Sequence, residues 1–256
     1  MDFIASSYSN FPLMLASVLF FIVLVIAREV GAFLRRKVDQ RNPDAEESDT
    51  FALSAVLGLL ALLIGFTFSL ALQRYDARRE LVIAEANALG TTWLRADLLD
   101  TGPRQQLRQV LRDYVDNRVA FGAAKNADEE LRVYRQSEAL QGELWRTVVE
   151  ATAPFRTTPL AALLISTTND SIDLAASRIA TRQAHIPVRI MRILILYAVM
   201  AAGMVGYQQY RQRQSSMLMF VLITLAVTLV IDLDRPAAGW INVPQTPMLD
   251  LQHSLT

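Results

Sequence analysis

Five small residues, Ser54, Gly58, Ala61, Gly65 and Ser69, recur at spacings of four, three, four and four, which stacks them on one helix face. Their chemistry is contact rather than bond-making. A face without bulk lets helices approach closely, the commoner reason for such a row in a membrane. The same face suits a pore, with Ser54, Thr67 and Ser69 as weak polar contacts and Phe66 or Phe68 as an apolar constriction that gates by dewetting. Both readings stand at this level. Just beyond, Arg74, Arg78 and Arg79, with Glu80 and Glu85 nearby, would ring an inner mouth and concentrate anions by their field. A basic turn solvated or set against lipid headgroups explains them equally well.

A second group lies at Asn169, Asp170, Asp173, Arg178 and Arg182. Asp170 precedes Asp173 by three positions and Arg178 precedes Arg182 by four, so each pair shares a helix face. Neighbouring carboxylates invite acid/base chemistry, yet no nucleophile, metal-ligand spacing or phosphate loop accompanies them, and surface electrostatics is the simpler reading. Asp232, Asp234 and Arg235 close an apolar run, either as a salt-bridged helix end or as acids that hold a cation. His185 and His253 lie far apart and match no metal-ligand spacing. Cysteine is absent, which excludes disulfides, thiolate metal sites and cysteine nucleophiles. The 25 basic side chains are balanced by 25 acidic ones, which argues against a nucleic-acid binder. The expectation is a protein that is not an enzyme and carries no cofactor or metal.

The elements that position these residues are read from hydropathy. A hydrophobic fraction of 52% and a mean hydropathy of +0.26 are high for a soluble chain and point to a membrane. Residues 51–72 carry no charge and are long enough for a bilayer core, which takes roughly 20 helical residues. They continue without Gly or Pro into a charged helical segment to residue 89. An earlier run, 11–27, is followed by Arg28, Arg35, Arg36 and Lys37; a signal peptide would carry its positive charge before the run, so this is a retained span. Residues 41–50 form a polar linker in which Ser48, Asp49 and Thr50 are candidate N-caps.

From 73 to 186 apolar residues fall at helical spacing, with one stripe at Leu107, Val110, Leu111, Tyr114 and Val119 and another at Leu131, Tyr134, Leu144, Trp145 and Val148. Breaks at 101–103, 125–128 and 154–159 divide this insert into about four helices. A third span begins near Pro187 and a fourth covers 217–233. The predicted organisation is therefore two spans in 1–72, a helical soluble insert in 73–186, two spans in 187–233 and an irregular, Pro-rich tail in 234–256. Four spans put both termini on the side of the insert. Lys and Arg are divided too evenly between the two sides for the positive-inside rule to choose an orientation.

Three blocks, residues 65–89, 169–187 and 232–251, together resemble the bacterial bestrophin-like family, and the resemblance covers nearly the whole chain. It implies an all-α, bestrophin-like membrane fold: four transmembrane helices with a helical insert between the second and third, assembled as a homo-oligomer, a pentamer in bestrophins. It implies ion conduction through a pore lined by the second span, with Gly65, Phe66 and Phe68 at an apolar neck and Arg74 at the helix exit. The residues that carry the family pattern are Asn169, Asp170, Asp173, Arg178, Pro187, Asp232, Asp234, Arg235 and Pro236. Asp232 and Asp234 stand where eukaryotic bestrophins bind calcium, but two acids replace a dense acidic run and no calcium site is expected. The implied setting is a bacterial inner membrane, with insert and termini cytoplasmic. The implied partners are the lipid bilayer, further copies of the chain and inorganic ions, with no nucleic acid. Four spans can hardly enclose a wet pore alone, so conduction requires a cyclic oligomer with the second helix at its axis. The competing expectation is a membrane-anchored helical scaffold or sensor that does not conduct.

Overall fold

The computed structural model describes residues 13–41, 50–124, 126–236 and 239–255. Among them are eight α-helices and no strand: α1 Leu13–Arg41, α2 Thr50–Arg95, α3 Thr101–Ala123, α4 Ala127–Thr152, α5 Pro159–Gln183, α6 Val188–Gln208, α7 Arg213–Asp234 and α8 Thr246–Ser254. Four segments are long and apolar enough to cross a membrane, built on α1, α2, α6 and α7. The all-α class and the four spans follow the sequence expectation, and the breaks at 101–103 and 154–159 mark helix starts: Gly102 and Pro103 lie in the first turn of α3, and Pro159 opens α5. Ser48 and Asp49 lie outside the described residues.

The chain divides into two compact units, and α2 contributes to both. The first holds residues up to Gln73 and His185–Arg235. Here α1 packs along α6 and also against α7, around Leu24, Leu53, Leu60, Leu194, Phe220 and Val227. The α1/α6 contact is set by glycine. A Cβ on Gly31 would lie 2.9 Å from both the carbonyl carbon of Gly203 and the amide nitrogen of Tyr207, and one on Gly206 would lie 2.8 Å from the Cα of Arg28. Backbone meets backbone there, so no side-chain adjustment can relieve an added methyl. Arg28 is buried beside this contact, donating from Nη2 to the carbonyl of Tyr210 at 3.0 Å and pairing through Nη1 with Glu29 at 2.8 Å. Where α7 ends, Asp234 Oδ1 accepts from the amide of Ile186 at 2.9 Å, satisfying a donor just ahead of α6.

The second unit holds Arg74–Ala184 and residues 236–255. Its part of α2 buries a stripe at Arg78, Val82, Glu85, Leu89 and Thr92, one residue every three or four. Helices α3 and α4 pair, α5 packs on α4, and α8 packs on α3. The core is built from Leu89, Leu107, Leu111, Tyr114, Leu144, Val148 and Met248. Asn126 caps α4 by accepting from the amide of Glu129 at 2.9 Å, and Thr158 with Pro159 opens α5.

Three sequence expectations are corrected here. The tail read as irregular contains α8, whose Pro247 occupies its first turn, where a missing N–H costs nothing. On α3 the buried position is Arg118 rather than Val119, which is half-buried, because the stripe through Leu111 and Tyr114 continues four residues on. On α4 Trp145 is exposed, since one helical step from buried Leu144 turns it off the core face.

Candidate functional site

Two constellations bear on function, one in each unit. On α2, Leu53, Leu60 and Thr67 recur every seven residues as the buried line. The Thr67 hydroxyl turns back onto its own helix, donating to Leu63 at 2.9 Å and Ile64 at 3.0 Å. Ser54, Gly58, Ala61, Gly65 and Ser69 all lie on the exposed side. A Cβ built on Gly58 or Gly65 meets nothing within 4 Å. The small-residue face is thus turned away from the chain's own helices, with Phe66, 61% exposed, beside it and Phe68 half-buried. Arg74 is half-buried and Arg79 exposed. Arg78 does not join them at the surface. It is buried in the helical unit, where Nη2 donates to the carbonyl of Ala184 at 2.8 Å and Nε to that of Thr181 at 3.3 Å.

The second constellation is a buried charge cluster centred on Glu85, which is fully buried. Glu85 Oε1 pairs with Arg118 Nε at 2.5 Å and its Oε2 with Arg178 Nη1 at 2.7 Å. Arg182 pairs with buried Glu130 at 2.8 Å. The guanidiniums of Arg118, Arg182 and Arg178 surround the Phe121 ring at 4.5, 5.0 and 5.6 Å from its centroid. Such stacking suits guanidinium, which is planar and weakly hydrated. Burial pulls the Arg178 guanidinium below its ordinary range; Glu85 works against that shift, while Arg118 and Arg182 add to it. The second Arg178 fork nitrogen donates to the side-chain oxygen of Gln245.

The structure separates the residues grouped at 169–187. Asn169, Asp170 and Asp173 are exposed, with Asn169 donating to Asp173 at 2.9 Å, whereas Arg178 and Arg182 point into the unit. Pro187 is exposed at the start of α6, next to Ile186 and His185; the His185 Nδ1 lies 3.5 Å from Asp234 Oδ2. Asp232 is buried, and the amide of Arg235 closes α7 by donating to the Asp232 carbonyl at 3.1 Å. Pro236 borders a cavity that Arg178 also lines. Among the described residues no group of three or more His, Cys, Asp or Glu is placed to hold a metal ion. The sequence reading missed Arg118, Glu130 and Gln245. The first had a visible signal, since it lies on the stripe between Tyr114 and Phe121.

The order of these elements has a counterpart among known proteins. A family model described as the Bestrophin-like domain matches residues 20–248. The chain belongs to the bestrophin-like family. Its fold is that of solved structures of a bacterial bestrophin homologue from Klebsiella pneumoniae. One point variant matches with a TM-score of 0.74 at 12% identity over 96% of this chain and 98% of that one. A second variant gives 0.70 at 10% identity over 93% and 97%, and the structure phased on zinc gives 0.69 at 12% over 94% and 96%. No curated protein matches this chain. This bestrophin-like chain is accordingly an all-α, multi-pass membrane protein.

Proposed function

We propose that this bestrophin-like chain assembles with copies of itself into a ring, a pentamer, around α2 and conducts inorganic ions passively across a bacterial inner membrane. Ser54, Gly58, Ala61, Gly65 and Ser69 line the path, Phe66 and Phe68 form its apolar constriction, and Arg74 and Arg79 stand at its mouth. The helical unit and both termini face the cytoplasm. One observation carries the reading: the small-residue face of α2 is turned outward, and added methyls on Gly58 and Gly65 would meet open space. A row that small residues keep narrow serves either a neighbouring helix or a pore axis, and among the described residues no helix of the same chain occupies it. Family membership supports the axial choice.

The test is reconstitution in planar bilayers. Wild-type protein should conduct, and Phe66→Ala should raise conductance or hold the path open by removing bulk at the constriction. Silence from the wild type and from both Phe66→Ala and Phe68→Ala would favour the anchored scaffold instead.

A further inference from the structure

The helical unit contains a cavity of about 290 Å³, separate from the small-residue face of α2. It is bordered by Arg78, Arg178, Arg182, Gly122, Asn242 and Gln245 among others, drawn from α2, α3, α5 and the segment before α8. Among the described residues its lining has three guanidinium side chains and no carboxylate. All three arginines are at least nine-tenths buried. The two carboxylates of the neighbouring cluster, Glu85 and Glu130, lie behind the lining and are engaged by Arg118, Arg178 and Arg182. Among these described residues four guanidiniums, Arg78, Arg118, Arg178 and Arg182, are set against two carboxylates, and that excess of positive charge held out of water favours an added negative charge. The C-terminal end of α3 also borders the cavity; its partial charge opposes an anion, but only weakly beside the cluster's excess of guanidinium charge.

From this geometry we propose that the cavity binds a small oxyanion, a carboxylate or a phosphate. Directional N–H groups converging from separate guanidiniums can meet two oxygens of one oxyanion, a fit that a spherical halide lacks. The volume is close to the lower limit for small-molecule sites, roughly 300 Å³, and admits several heavy atoms. Arg178 is the principal contact. One arm of its fork is anchored on Glu85, and the other is met by the neutral side-chain oxygen of Gln245. Gln245 reaches that position because residue 122 is glycine: a Cβ there would lie 2.9 Å from Gln245 Cγ and 2.6 Å from Cδ. Its amide nitrogen is held by the carbonyl of Val243 at 3.0 Å. An incoming anion takes the place of the amide oxygen, trading a neutral acceptor for a charged and stronger one. Gln245 is therefore the group that the ligand displaces, and residues 242–245 respond to binding. The site is independent of whether the chain conducts.

The experiment is calorimetric titration of the full-length protein in detergent with inorganic phosphate and, separately, succinate, against sodium chloride at matched ionic strength. The wild type should bind at least one of the two oxyanions saturably, and which one it binds identifies the source. Gln245→Glu places a built-in carboxylate against Arg178 and should weaken that binding at least tenfold while helicity and elution volume are retained. Should that variant not fold, Arg178→Lys, which keeps the charge and loses the fork, is judged by the same tenfold criterion. The proposal is overturned if neither oxyanion binds, if chloride gives the same response, or if affinity survives the substitution.

Discussion

Glycines occupy two helix faces in the membrane unit, and the two faces have opposite fates. On α1 and α6, Gly31 and Gly206 sit where an added methyl would strike the backbone of the opposite helix. On α2, Gly58 and Gly65 sit where it would strike nothing. The residue type and its helical recurrence are similar in both places, so a small-residue row does not by itself say what it faces. The arginines teach the same lesson. Arg78, Arg118 and Arg178 are buried in the helical unit, while Arg79, within the same basic cluster as Arg78, is exposed. Environment, not identity, decides what each residue does.

The contrast can be broken by substitution, most severely in the charged core. Glu85→Gln removes the carboxylate that Arg118 and Arg178 share, and leaving buried charge uncompensated should cost about 3–5 kcal/mol, read as a lower unfolding midpoint in detergent. Gly206→Ala should cost about 1–3 kcal/mol in the same assay, because the α1/α6 backbones must move apart. Gly65→Ala should go the other way in detergent that keeps chains separate, gaining up to about 1 kcal/mol from helix propensity with no clash to offset it. Arg79→Ala, on an exposed side chain, should change stability by no more than about 0.5 kcal/mol. Equal effects at Gly206 and Gly65 would erase the distinction between the two faces.

The spans were legible because a bilayer demands long uncharged helices, and residues 51–72 and 217–233 satisfy that by composition alone. The breaks near Gly102-Pro103 and Pro154–Pro159 were legible because Pro and Gly punctuate helices. The charged core was not. Glu85 and Arg118 look like solvated residues until their partners are known, and those partners lie far apart in sequence, 33 positions in the case of this pair. Gln245 was hidden for the same reason: its meaning depends on Gly122 and Arg178, which only the fold brings to it. The α1/α6 contact rests on Gly31 and Gly206, which nothing in their type or position sets apart from the other small residues of those two helices. For the α2 face the sequence supplied the residues and left pore and packing open; the structure adds that the chain's described helices do not cover it.

The central claim is that this face lines an ion path, and the absence of cysteine allows a direct test of it. Gly65→Cys, with Ile22→Cys on the exposed side of α1 as the control, would be reconstituted in planar bilayers and treated with a charged, water-soluble thiol reagent during recording. The account predicts that current through the Gly65 variant falls on modification, while the control is unaffected. Unchanged current after confirmed modification at residue 65, or a thiol there that the reagent never reaches while channels are conducting, would contradict it.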